Sequence, residues 1–162
     1  MIKFERIYED ADGFPHMDDY FDYIKGVAHL MPESLRDFAI TDASYELTGD
    51  ATLHDSRMCS FQISKQVGED GVTSTTMLDV TLLHQSHEKY VLLTYGGVLG
   101  YSVFEEGVLE RERGVDVLLH EVSVLERRGY RHVVQFEQGG GYSVDFLEFG
   151  LTYRDVVHPS GS

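Results

Sequence analysis

The sequence predicts an α+β fold: an antiparallel meander of six or seven strands, curved or partly barrel-like, with one long and one short N-terminal helix packed on it. Three observations predict it. Apolar side chains recur every three to four positions between residues 17 and 31. From Ala43 onward, Val, Thr, Tyr and Phe alternate with polar residues. The connections between these runs are short, which favours antiparallel pairing, since a parallel partner needs a crossover of about a dozen residues or more.

Residues 2–8 read as a first strand and Glu9-Asp10-Ala11-Asp12-Gly13 as an acidic turn. Pro15 suits the first turn of a helix, where its missing N–H costs nothing, and Asp18 and Asp19 suit the positive end of the helix dipole. Met17, Tyr20, Phe21, Ile24, Val27, Ala28 and Met31 form the buried stripe of this helix; His16, Asp18, Asp19, Asp22, Lys25 and His29 form its wet face. Pro32 ends it, and residues 32–39 make the second, shorter helix.

Strands follow at residues 43–48, 57–66, 73–84, 89–104 (kinked at Gly96-Gly97), 115–126, 130–138 and 142–153. Residues 68–71, 84–88 and Arg127-Arg128-Gly129 read as turns, the last with a glycine suited to positive φ. With residues 127–129 as a three-residue loop, Val122 and Val124 share a face with His132, Val134 and Phe136, and Tyr142, Val144 and Phe146 extend the core to the next strand. In that register His120 lies two residue pairs from His132, with Asp116 further along the same face. Gly100-Tyr-Ser-Val103 and Gly141-Tyr-Ser-Val144 resemble each other as two strands opening after similar turns. No stretch has linker composition, so residues 1–162 are expected to form a single domain, frayed at 158–162.

Charge narrows the function. There are 28 Asp and Glu against 13 Lys and Arg, a formal net charge of −15, and residues 1–55 hold thirteen of the acids and four of the bases. Such a field repels phosphate backbones, so no nucleic-acid partner is expected. The longest uncharged run, residues 90–104, is short of the roughly 20 residues of a membrane helix, so no membrane association is expected either. The single cysteine, Cys59, has no intramolecular partner, and a cytoplasmic location is expected. Its alternation with Phe61 and Ile63 places it in the core.

Motifs of common chemistries are absent. Gly139-Gly140-Gly141 lacks the Gly-Lys-Ser/Thr and following helix of a phosphate loop, Gly-x-Ser-x-Gly does not occur, and the acidic segment lacks the Asp-x-Asp-x-Asp-Gly calcium loop. No cofactor and no metal are implied. The chemically suggestive residues are His54-Asp55, His84, His87-Glu88, Asp116, His120-Glu121 and His132, and among them His120, His132 and Glu121 are the candidates for acid–base catalysis.

Two readings of function compete. The first is a non-catalytic acidic binding protein, inhibitor- or immunity-like in its use of charge, presenting Asp10, Asp12, Asp18, Asp19 and Asp22 to a basic protein partner. The alternative is a small enzyme or ligand carrier with a pocket lined by His120, His132, Glu121, Tyr101 and Tyr142. A homodimer through an exposed strand edge, or through the apolar run from Val98 to Tyr101, is a third arrangement.

Overall fold

The computed structural model describes residues 2–105, 115–137 and 139–158; most of the expected frayed tail lies outside them. The acidic N-terminal turn builds a hairpin. Asp10 accepts hydrogen bonds through Oδ1 from the N–H groups of Asp12 and Phe14, at 2.9 and 3.0 Å, and Gly13 takes φ +82°. This closes β1 (Tyr8–Glu9) against β2 (Pro15–His16), so Pro15 belongs to a strand and not to the first helical turn. The side-chain-held turn fixes Pro15 in the hairpin before the helix begins.

Helix α1 (Asp18–Val27) and a 3-10 turn (Ala28–Leu30) bury the expected stripe, with Tyr20, Ile24, Ala28 and Met31 inside. Pro32 stands at the N-terminus of α2 (Glu33–Ile40), which buries Leu35, Phe38 and Ala39. The expected strand at 43–48 is instead a 3-10 turn (Asp42–Ser44) and a loop. Here Ser44 Oγ and Thr52 Oγ1 donate to the carbonyls of Phe38 and Glu46, the local bonding by which Ser and Thr compete with a ladder.

The remaining strands form two open four-stranded sheets, antiparallel throughout. One is ordered β10-β5-β4-β3, from β3 (Arg57–Val67), β4 (Ser74–Leu83), β5 (Lys89–Gly96) and β10 (Glu148–Asp155). The other is ordered β6-β9-β8-β7, from β6 (Gly100–Phe104), β7 (Val117–Val124), β8 (Tyr130–Phe136) and β9 (Gly141–Phe146). Each is a three-stranded meander that receives its fourth strand from the other: β6 follows β5 yet pairs with β9, and β10 follows β9 yet pairs with β5. Among the described residues ten strands result, because the hairpin adds two and the runs 89–104 and 142–153 each divide. Gly97, at φ +55°, makes the first division possible; an added Cβ would also sit 3.0 Å from that of Leu147, where the second occurs. At this shared corner Leu147 N–H bonds Gly96 O and Leu99 N–H bonds Asp145 O. The other corner is a single bridge, Arg57 to Asp116, and the sheets do not close into a barrel.

Edge strand β7 has its outward N–H groups covered by α1. Val122 N–H donates to Tyr20 Oη and Val124 N–H to Tyr23 Oη, at 2.8 and 2.9 Å, so the helix satisfies an edge that would otherwise pair with another chain.

Two details depart from the alternation. A bulge between Met58 and Ser60 turns Met58 and Phe61 inward three positions apart and leaves Cys59 exposed, not in the core. The β7–β8 hairpin pairs Val122 with His132 and Val124 with Tyr130, two residues away from the register of a three-residue loop. A shift of two preserves the face, so Val122, His132, Val134 and Phe136 remain inside. Among the described residues no helix is long and apolar enough to cross a membrane.

Candidate functional site

The register of β7 and β8 brings the two candidate histidines into contact. His120 faces Val134 and His132 faces Val122, so the imidazoles are diagonal neighbours on the inner face. His120 Nδ1 and His132 Nε2 lie 3.1 Å apart, His120 Nε2 lies 3.0 Å from Ser44 O, and His132 Nδ1 lies 2.6 Å from Tyr95 Oη. Tyr95 Oη is in turn 3.0 Å from Tyr142 Oη. The chain therefore starts on β9, passes through Tyr95 of the facing sheet, and ends on the 3-10 turn.

One atom fixes every proton in it. A carbonyl oxygen only accepts, so His120 must carry its proton on Nε2; its neutral Nδ1 then accepts from His132 Nε2–H. His132 Nδ1 accepts from Tyr95 O–H, whose oxygen accepts from Tyr142. The bonds thus point one way, from Tyr142 to Ser44. A second chain runs alongside: Tyr45 O–H donates to Ala39 O, Tyr20 O–H to Tyr45, and Tyr20 oxygen accepts the Val122 N–H. The Tyr45 ring stacks on His120 at a centroid distance of 4.3 Å, and Phe38 packs against the same imidazole.

Burial makes this arrangement neutral. It pushes His120 down to about 4, opposed in part by its bond to Ser44, and holds His132 well below the usual histidine range, with His120 adding to the effect. Tyr20, Tyr45, Tyr95 and Tyr142 are all pushed upward, burial being the first cause in each. At neutral pH these groups are uncharged and hydrogen-bonded, and all but the half-buried Tyr45 are closed to solvent, which is how polar side chains are kept inside an apolar core at little cost.

The other pocket residues lie elsewhere. Glu121 projects from the opposite face of β7, where its carboxylate accepts the N–H groups of Glu5, Arg6 and Ile7 at 2.9–3.0 Å. It clamps the N-terminal segment. Tyr101 is half exposed on edge strand β6, 6.3 Å from Phe61. Asp116 pairs with Arg57 at 3.1 Å, His54 bonds Leu118 O and stands 3.5 Å from Asp55, and His84 bonds Ser86 and Gly49 O. The structure thus joins His120, His132 and Tyr142 and adds Tyr95, Tyr45 and Phe38. Sequence reasoning missed all three: parity with Val91 and Leu93 is the signal that could have found Tyr95, whereas Tyr45 and Phe38 reach the histidines from outside the sheets and carry no such signal.

The acidic residues divide as well. Asp10 is committed to the hairpin, and its bond to His16 is the first cause of its lowered pKa. Asp12, Asp18, Asp19 and Asp22 are exposed. So are Glu33, Asp37, Asp42, Glu46 and Asp50, which continue the acidic surface across α2 and the following loop. Residues 17–50 hold eight carboxylates against Lys25 and Arg36 alone. Among the described residues none of the eight has a cationic group within 4 Å, whereas Arg57 and Arg131 on the sheets are paired with Asp116 and Asp145; Lys65, Lys89 and Arg154, also on strands, instead meet Thr76 and the rings of Tyr153 and Tyr90.

Two clefts open into this surface. One, of about 350 Å³, lies between Met17, Phe21 and Tyr45 beside Asp42, Glu46 and Lys25. The other measures about 320 Å³ and lies between α2, the 3-10 turn and β10, with Phe38 and Leu151 as apolar lining and Asp37, Thr41 and Tyr153 among its polar residues. Phe38 separates the second of these from His120 and His132. Among the described residues, no three His, Cys, Asp or Glu side chains are placed to hold a metal ion. Compared with protein-family models, curated proteins and solved structures, the chain matches none.

Proposed function

We propose that this chain is a non-catalytic binding protein that engages a positively charged protein through its N-terminal helical layer, as inhibitor- and immunity-type proteins do. The observation that carries the reading is where charge is left unmatched: among the described residues, the eight exposed acids of residues 17–50 have no cationic group within 4 Å, and Lys25 and Arg36 are the sole bases of that stretch. Unmatched charge concentrated on one layer is costly to the isolated fold and useful only to something outside it. It draws a cationic partner in and raises the association rate by roughly 10- to 1,000-fold.

The histidines support the same reading. A general base must reach a substrate proton, yet His120 and His132 are enclosed and each ring nitrogen already has a partner. They fasten the two sheets and the 42–44 turn beneath the acidic layer.

The test is kinetic. Partners captured from the native host are purified, and their association rates measured between about 20 mM and about 500 mM salt. The expected result is a cationic partner whose on-rate falls at least tenfold over this range, and falls again when Asp18, Asp19 and Asp22 are all changed to Asn. An on-rate indifferent to salt and to those substitutions refutes the proposal.

A further inference from the structure

The cleft between α2 and β10 carries a more specific reading, which rests on the acidic-layer proposal. We infer that it receives the side chain of one lysine or arginine of the cationic partner, the aliphatic stem lying on Phe38 and Leu151 and the charged head meeting Asp37.

The argument starts from which polar groups remain free. Ser34 Oγ donates to Phe149 O at 2.6 Å, Thr41 Oγ1 to Asp37 O at 2.5 Å, and Ser44 Oγ to the carbonyls of Phe38 and Thr41. These three of the cleft's four hydroxyls are thereby spent on backbone. What is left is an apolar surface, the Asp37 carboxylate with no cation within 4 Å among the described residues, and Tyr153. Asp50 stands close enough to act on the Tyr153 hydroxyl through its charge. A long apolar stem ending in a positive charge matches both parts, whereas an anion meets two carboxylates and a purely apolar group leaves Asp37 unmatched.

The molecule shows the preference at its own rim. Lys89 Nζ lies 4.5 Å from the centroid of the Tyr153 ring, a cation already drawn to this aromatic wall. It is the base that the cleft must share with an incoming one, and Asp37, on the α2 side, is not bonded to it.

The probe is the tripeptide acetyl-Ala-Arg-Ala amide, titrated into the full-length, ¹⁵N-labelled chain and followed by amide shifts. Saturable shifts at Asp37, Thr41, Leu151 and Tyr153 are expected, with no such response to the norleucine analogue. Asp37→Asn should weaken binding at least about fivefold, and Glu69→Gln, an exposed carboxylate on the β3–β4 turn, should leave it within about twofold. Shifts confined to α1 overturn the cleft and leave the acidic layer standing. The absence of any saturable shift, or equal binding of the norleucine peptide, also overturns it; the acidic layer itself is judged separately, by the salt dependence of the protein partner's on-rate.

Discussion

Acid should unfold this protein through its core before its carboxylates titrate. In the unfolded chain His120 and His132 bind protons near pH 6.5; folded, burial brings His120 down to about 4 and holds His132 well below the usual histidine range. Below pH 6.5 the unfolded state therefore takes up protons that the folded state refuses. The stability gained by keeping the pair neutral is fully present above that value and is lost as pH falls. One such proton is worth about 1.4 kcal/mol per pH unit, so His120 alone contributes a slope of about 1.2 kcal/mol per unit between about pH 6 and 5, and His132 adds in the same direction. His84, also lowered by burial, adds in the same direction. Over the fall from 6.5 to about 4, His120 alone removes roughly 3 kcal/mol, a large part of the 5–15 kcal/mol that holds a typical domain. Urea unfolding at half-unit intervals between about pH 7 and 5 measures the slope, in a range where ordinary carboxylates stay ionised. Imidazole ¹⁵N spectra isolate the two rings: both should show the Nε2–H neutral form throughout. A ring that titrates near pH 6.5 in the folded protein, or carries its proton on Nδ1, refutes the hydrogen-bond direction derived from Ser44 O.

Two further predictions test the frame around that core. Glu121→Ala strips the N–H groups of Glu5, Arg6 and Ile7 of a charged acceptor and should cost about 3 kcal/mol, with hydrogen exchange rising first at residues 5–7; Glu121→Gln, which keeps one acceptor oxygen, should cost less. Gly141→Ala places a Cβ 2.2 Å from the Val134 carbonyl oxygen, a backbone atom of the paired strand, and should destabilise by more than about 2 kcal/mol in urea melts. In contrast, Gly26→Ala on α1, where the Cβ meets nothing within 4 Å, should stabilise by about 0.5–1 kcal/mol.

How much of this was legible in the sequence depended on which periodicity governed each residue. The α1 stripe was legible because a period of 3.6 tolerates an error of several residues at the helix start; moving that start from Pro15 to Asp18 left Tyr20, Ile24 and Met31 inside. The His120–His132 contact was legible for the analogous reason in strands. The loop length was misjudged and the register differs by two, but parity survives an even shift, and here the shift drew the imidazoles from two pairs apart to diagonal contact. Cys59 failed by the same rule. A bulge inserts one residue, which is odd, and everything before it changes face.

Glu121 marks the limit of parity as a guide to function. Sitting next to His120, it seemed part of a catalytic pair, but adjacent strand residues point to opposite faces, so the same alternation that put His120 inside had to send Glu121 to the far side. Parity says nothing about what waits there. The three N–H groups that Glu121 holds come from more than a hundred positions earlier, a contact that no local pattern encodes. The same holds for Ser44, whose carbonyl sets the direction of the whole Tyr142–Tyr95–His132–His120 chain from a turn that propensity had read as a strand. The residues that decide whether these histidines are catalysts or fasteners are thus the ones furthest from them in sequence. In this structure both nitrogens of each ring are taken, so the imidazoles hold the two sheets and the 42–44 turn together.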